Sequence, residues 1–243
     1  MISLGFLGKV PNEYFCTYED APDNEVSCKP DDFCKDPNVI SYRPNMELKE
    51  SYTNWISHYG LTCTSGGYIG LIASAFFIGW IGTLVFIPRL SDLFGRQRFI
   101  QVGNIFCSIG YSLLFMTHSY FVLVTAMATM GACCTLRTQI SVIYFHESLS
   151  KEHFTTFFAI LASFEGLIGI LASIYFIFIS KNWIWLIGSG LLLQLIGTIG
   201  SLFFLESPRW LIKSGNIKRA QQVFEKIADW NGVDKSAVSL DII

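Results

Sequence analysis

The chain has 243 residues, a formal net charge of −2 and 51% hydrophobic residues, but only 15% charged ones, against about 25% in an ordinary soluble domain. The near-neutral balance, with no basic patch interleaved with aromatics, gives no support to nucleic-acid binding. The distribution of charge excludes one water-soluble core: residues 1–66 hold ten acids and five bases, whereas residues 67–205 hold four acids and six bases in 139 positions.

The acidic leader, 1–66, carries Cys16, Cys28, Cys34 and Cys63. Four thiols in a polar stretch predict two disulfides, with three connectivities open; zinc-type spacing is absent. Five apolar runs follow, at about 67–88, 99–117, 121–144, 155–179 and 183–205. Each is long enough to cross about 30 Å of hydrocarbon as a helix. Glycines recur in them (Gly70, Gly79, Gly82, Gly103, Gly110, Gly166, Gly169, Gly188, Gly190, Gly197 and Gly200) and predict seams where helices approach closely.

Lysine and arginine set the orientation. Arg89, Arg96 and Arg98 between the first two runs, Lys151 between the third and fourth, and the basic tail from Arg209 to Lys235 fall on one side, expected to be cytosolic or matrix-facing. The leader then lies on the other side, where thiols oxidise. There is no Asn-x-Ser/Thr sequon, which weakens a glycosylated cell-surface reading. Cys107, Cys133 and Cys134 fall within spans, where packing is the expected role.

Two stretches carry the functional reading. Leu90-x-Asp92-x-x-Gly95-Arg96-x-Arg98 reverses the chain between two spans, with Gly95 supplying a backbone shape a side chain would forbid. Glu206-Ser-Pro-Arg-Trp-Leu opens a second helical stretch, with Ser207 as cap and Pro208 at the first helical position. Gly215 and Asn216 break it. Ala220, Val223, Phe224, Ile227 and Ala228 then recur at helical spacing as an amphipathic stripe, and Asn231-Gly232 stops it.

The charged turn resembles the signature loop of the major facilitator superfamily, between its second and third helices. Glu206–Leu211, with Gly215, Ala220 and Asn231-Gly232, resembles the organic cation/anion transporter group of that superfamily, as does "NWISHYGLTC" (Asn54 to Cys63). The resemblance implies an all-α integral membrane protein, an incomplete N-terminal bundle with a cysteine-bearing outer loop. It divides the chain into an outer segment (1–66, with Met1–Cys16 a remnant of the first helix), a bundle of the family's helices two to six (67–205), and an amphipathic linker (206–243). It also implies a gating-motif remnant: Asp92, Gly95, Arg96, Arg98, Glu147, Glu206 and Arg209. The family's aspartate at the Asp92 position is thought to grip a helix of the other bundle. Departures are Pro88 for a glycine, Leu93 for a base, and Phe154 and Ile184 for arginines.

Arg137 and Glu165 are the ionisable residues well inside the runs, at a similar depth on neighbouring antiparallel helices. Such groups are costly in lipid unless paired or hydrated, so they are expected to form a charge pair or to line a substrate cavity. His146-Glu147 and Glu152-His153 lack His-Glu-x-x-His spacing; no metal is expected. No nucleophilic triad, phosphate-cradling loop or acid pair points to an enzyme. No cofactor is implied beyond ordered lipids. The expectation is an accessory membrane subunit with transport lost, held among other transmembrane subunits of a larger assembly such as a mitochondrial respiratory complex. The alternative is half of an organic-ion transporter, completed by a complementary chain. Both the mitochondrial inner membrane and the plasma membrane stay open.

Overall fold

In a computed structural model the described residues are 8–48 and 51–234. They form two compact units: Met1–Ser74, Thr117–Val124 and Leu161–Gly190 in the first, and Ala75–Met116, Thr125–Ile160 and Leu191–Ile243 in the second. Five helices are long and apolar enough to cross a membrane: Gly66–Leu84, Arg96–Met116, Tyr120–Ser148, Glu152–Ile179 and Trp183–Ser201. The five predicted runs therefore become five helices, with ends shifted by up to four residues. The first seven residues of the expected helix remnant, and Lys235 of the basic tail, lie outside the described residues. So does the side chain of Lys151.

The first unit holds a feature the runs do not announce, a three-stranded antiparallel sheet of order β2-β1-β3. β1 (Tyr14–Tyr18) pairs with β2 (Ala21–Cys28) and β3 (Val39–Pro44), with Tyr14 opposite both Cys28 and Pro44. Residues 14–16 are therefore strand, not the end of a helix. Tyr-Phe-Cys-Thr-Tyr is rich in aromatic and β-branched side chains that suit a pleated, half-buried surface. Its core is Tyr14, Cys16, Cys28 and Phe33, the last from the short helix α1 (Pro30–Phe33). The Tyr14 and Phe33 rings meet edge-on at 5.2 Å. Disulfides join Cys16 to Cys28 and Cys34 to Cys63, which selects one of the three connectivities.

Helix α2 (Trp55–His58) begins where Asn54 Oδ1 accepts from the amides of Ile56 and Ser57. The turn after the fourth span is strapped to this part of the leader. Lys181 Nζ donates to the carbonyls of Met46 and Leu48, Thr53 Oγ1 donates to the Lys181 carbonyl at 2.9 Å, and Thr53 forms a parallel bridge with Asn182. The rings of Tyr52 and Phe176 meet edge-on at 5.1 Å, and those of Trp55 and Trp183 at 6.4 Å.

In the second unit, the part of α3 (Gly66–Leu84) from Ala75 onward runs close to the part of α6 (Tyr120–Cys134) from Thr125 onward, because two glycines remove side chains from the seam. A Cβ on Gly79 would run into the Ala128 carbonyl, and one on Gly131 into that of Phe76. Gly103 and Gly110 lie against Leu136 and Met130 in the same way. A Cβ added at Gly70, Gly82, Gly166, Gly188, Gly190, Gly197 or Gly200 would meet nothing within 4 Å, so of the predicted glycines Gly79, Gly103 and Gly110 mark close seams among the described residues. Thr83 and Thr135 hydroxyls meet at 2.9 Å across the first seam. In lipid such hydrogen bonds and close backbone contact replace the hydrophobic drive.

The charged connection between the first two spans is itself a two-turn helix, α4 (Ile87–Phe94), started by Pro88 and ended by Gly95. Helix α5 (Arg96–Met116) follows at once. The third span contains a π-turn, Thr135–Gln139, before α7 (Ile140–Ser148). The fourth, α8 (Lys151–Ile174), ends in another π-turn at Tyr175–Ile179, and α9 (Trp183–Ser201) is the fifth. The linker forms α10 (Pro208–Lys213) and α11 (Ile217–Asn231), with Gly215 and Gly232 at positive φ where the sequence places breaks. The apolar stripe of α11 packs on α10: Leu211, Ala220 and Val223 are buried together, with Trp210 and Ile227 at their edge.

Two tests follow from the first unit. Peptide mapping without reductant should return Cys16–Cys28 and Cys34–Cys63 bridges. Reduction of the second, which closes a 29-residue separation, should cost about 3–4 kcal/mol of thermal stability. His58 stacks 4.4 Å from His118 and 5.2 Å from Trp183. Burial, and then the neighbouring His118, push the His58 imidazole below its ordinary 6.5. The unfolded chain therefore takes up a proton as pH falls through that value while the folded one does not, so melting temperature should drop below about pH 6.5. His58→Gln should flatten that dependence.

Candidate functional site

Helix α5 begins with amides that have no partner within the helix. Glu206, 110 residues away in sequence, supplies one. Its Oε1 accepts from the amides of Arg96 (2.9 Å), Gln97 (3.1 Å) and Ser207 (3.0 Å), in a buried setting. A carboxylate there also meets the positive end of the helix dipole. Gly95 makes room: at φ 101° its Cα lies against Glu206, and a Cβ would strike Oε2.

Arg96 is the hub beside this cap. Its guanidinium donates from Nη2 to Glu147 Oε1 at 2.7 Å and from Nε to Glu147 Oε2 at 3.2 Å. It also donates to Ser91 Oγ at 3.1 Å and to Asp92 Oδ1. Ser207 Oγ donates to Glu147 Oε2 at 2.8 Å and accepts from the amide of Trp210. Trp210 Nε1 then donates to the Asp92 carbonyl at 2.7 Å, closing a ring of contacts through α4, α5, α7 and α10. The two acids differ in kind. The Arg96 and Glu147 side chains are 7% and 12% exposed, whereas that of Asp92 is 62% exposed.

Of the seven predicted motif residues, Asp92, Gly95, Arg96, Glu147 and Glu206 converge here. Arg98 and Arg209 do not; both are exposed. Arg209 borders an open cleft of about 300 Å³ with His146, Leu149, Phe154 and Thr155. Phe154, where the superfamily's pattern places an arginine, presents its ring edge-on to His146 at 4.9 Å. Ser91, Ser207 and Trp210 complete the ring, and sequence reasoning missed their part in it. Ser207 was legible only as a helix cap.

Arg137 sits within the π-turn Thr135–Gln139 and donates from Nη1 to Gln194 Oε1. Gln194 Nε2 in turn donates to Asn104 O, Asn104 Oδ1 and Thr198 Oγ1, each at 3.3 Å, and Thr198 meets Ser108 at 2.9 Å. Glu165 belongs to the first unit and is exposed on α8. Among the described residues no group of three or more His, Cys, Asp or Glu side chains is placed to hold a metal ion.

The sequence profile of the sugar (and other) transporter family matches residues 14–240. The chain is 25% identical over 248 residues to a solute carrier family 22 member 15-like protein of Xenopus laevis, covering 96% of this chain and 45% of that protein. It is 26% identical over 198 residues to organic cation/carnitine transporter 2 of Rattus norvegicus, covering 79% and 34%. It is 27% identical over 172 residues to the glucose transporter GlcP of Staphylococcus epidermidis, covering 68% and 38%. The chain belongs to the sugar (and other) transporter family of the major facilitator superfamily. It corresponds to the N-terminal region of its organic-solute members and spans less than half the length of these relatives.

The hub predicts a contrast between two mutants of similar chemistry. Arg96→Ala strands the buried Glu147 carboxylate and should lower unfolding stability by about 3–5 kcal/mol. Asp92→Asn removes a solvent-exposed partner and should change it by no more than about 1 kcal/mol. Thermal unfolding of both variants in the same detergent measures the difference.

Proposed function

We propose that this chain is the N-terminal bundle of a transporter for small organic ions, working by alternating access against a second bundle carried by further polypeptide. The observation that carries the reading is the Arg96 hub. A buried Arg96–Glu147 pair and the Glu206 cap hold the charged turn rigid against the linker, while Asp92 keeps most of its carboxylate exposed. That arrangement suits a latch: one face fixed to its own bundle, the other free to meet a helix end of the opposing one. Alternating access needs two bundles about a shared cavity, and the basic residues around the hub favour the cytosolic or matrix side for the latch.

The relatives support transport, since they include an organic cation/carnitine transporter and a glucose transporter. They offer nothing in favour of an accessory subunit of a respiratory assembly. In this reading Arg137 and Glu165, the charges inside the spans, are each candidate contacts for substrate.

The test is isolation from native membranes in mild detergent, then reconstitution of whatever co-purifies. The expected result is one complementary bundle, on the same or a companion polypeptide, and saturable uptake of an organic ion that Asp92→Asn impairs without unfolding the protein. Recovery with many unrelated membrane subunits and no uptake would overturn the proposal.

A further inference from the structure

We infer that the open cleft beside the hub is a binding site for the phosphate of an anionic phospholipid, with Arg209 as its charged contact. The inference goes beyond the transport reading and stands whether or not the chain takes part in transport.

The cleft has a volume of about 300 Å³ and is lined by His146, Leu149, Phe154, Thr155 and Arg209, all of them in the second unit. Its depth follows from where those residues lie in the chain. His146 is in the last turn of the third span (Tyr120–Ser148), Phe154 in the first turn of the fourth (Glu152–Ile179), and Leu149 in the connection between them. Arg209 is in α10, shortly after the end of the fifth span. Spans end where hydrocarbon gives way to headgroups, so a cleft built from these ends opens at the level of lipid phosphates.

Arg209 is exposed and, among the described residues, is paired with no carboxylate. Glu147, the acid of the adjoining hub, has both oxygens taken by Arg96 and Ser207. The guanidinium fork keeps its donors for a ligand, and its geometry matches phosphate oxygens. His146 adds an N–H in either tautomer, its ring edge-on to Phe154 at 4.9 Å. Leu149 and Phe154 make the other walls apolar. A free inorganic ion gains nothing from such walls, whereas the glycerol and upper acyl carbons of a lipid bury against them.

The surrounding charge selects a lipid of net negative charge. From Ser207 to Phe224 the linker has four bases (Arg209, Lys213, Lys218 and Arg219) and no acid, and all four bases are exposed. Basic pockets at span ends, with further bases just outside the membrane, collect anionic headgroups in this way. Arg209 also stands between Ser207 and Trp210, two members of the hub ring, so an occupied cleft bears directly on the hub.

The test is native mass spectrometry of the purified protein in detergent micelles, titrated with phosphatidylglycerol, phosphatidylcholine or inorganic phosphate. One phosphatidylglycerol should be retained in preference to phosphatidylcholine. Arg209→Gln should weaken that retention about tenfold or more, as expected for losing a charged hydrogen bond, without lowering the melting temperature in phosphatidylcholine. Arg209→Lys should restore part of the preference. Lys218→Gln removes a base that does not line the cleft and should weaken retention far less. Equal retention of the two lipids, or undiminished retention in Arg209→Gln, would overturn the inference. So would equal losses in Arg209→Gln and Lys218→Gln, which would mean a diffuse attraction rather than a site. Displacement of the lipid by inorganic phosphate would assign a free anion instead and overturn the lipid. None of these readouts requires transport, so failure here and failure of uptake are separate results.

Discussion

A carboxylate at the start of a helix is the contact on which the second unit depends. Glu206 gathers three amides on one oxygen, and in doing so welds the end of the fifth span to the beginning of the second. Everything nearby is placed by that weld. Ser207, the next residue, is thereby set against Glu147, and Glu147 against Arg96. Without the cap the first turn of α5 would need water at its amides, and the space that Gly95 leaves open would have nothing to fill it. The local rule that helices want an acceptor at their start is met here by a residue distant in sequence, and that distance turns a capping interaction into tertiary structure.

The first unit solves a different problem. A polar leader with few apolar side chains cannot bury enough surface to hold itself, and here two disulfides and a lysine reaching backbone carbonyls take over. The spans themselves carry large exposed apolar side chains, including Phe178, Leu193 and Ile199. In water such surface would drive aggregation; against lipid or further helices it is the ordinary state of a membrane segment.

Long periodic features were legible in the sequence because the physics behind them is local. Five apolar runs became five helices, and Ser207-Pro208, Gly215 and Gly232 marked the linker's starts and stops, since caps and chain breaks act within a few residues. The sheet was hidden because its strands are short, β2 is mostly polar, and its core is made by cysteines and rings that meet only after folding. The helix inside the charged turn was masked by the apolar run it continues, which Pro88 interrupts. Glu206 and Arg96 were picked out by resemblance, yet nothing near either residue says that one caps the other's helix. Gly131 was passed over for the same reason: its neighbour across the seam, Phe76, is a partner that only the packing reveals.

The π-turn in the third span has a consequence for how this chain compares with its kin. Each residue added to a helix turns everything beyond it by about 100°, so the wide turn at 135–139 works as a phase shifter between two halves of one rod. It lets Arg137 face the Gln194 amide while Glu147, ten positions on, still swings round to Arg96. A relative shorter by a single residue in this stretch would differ in bearing rather than in reach, and could keep only one of those two appointments.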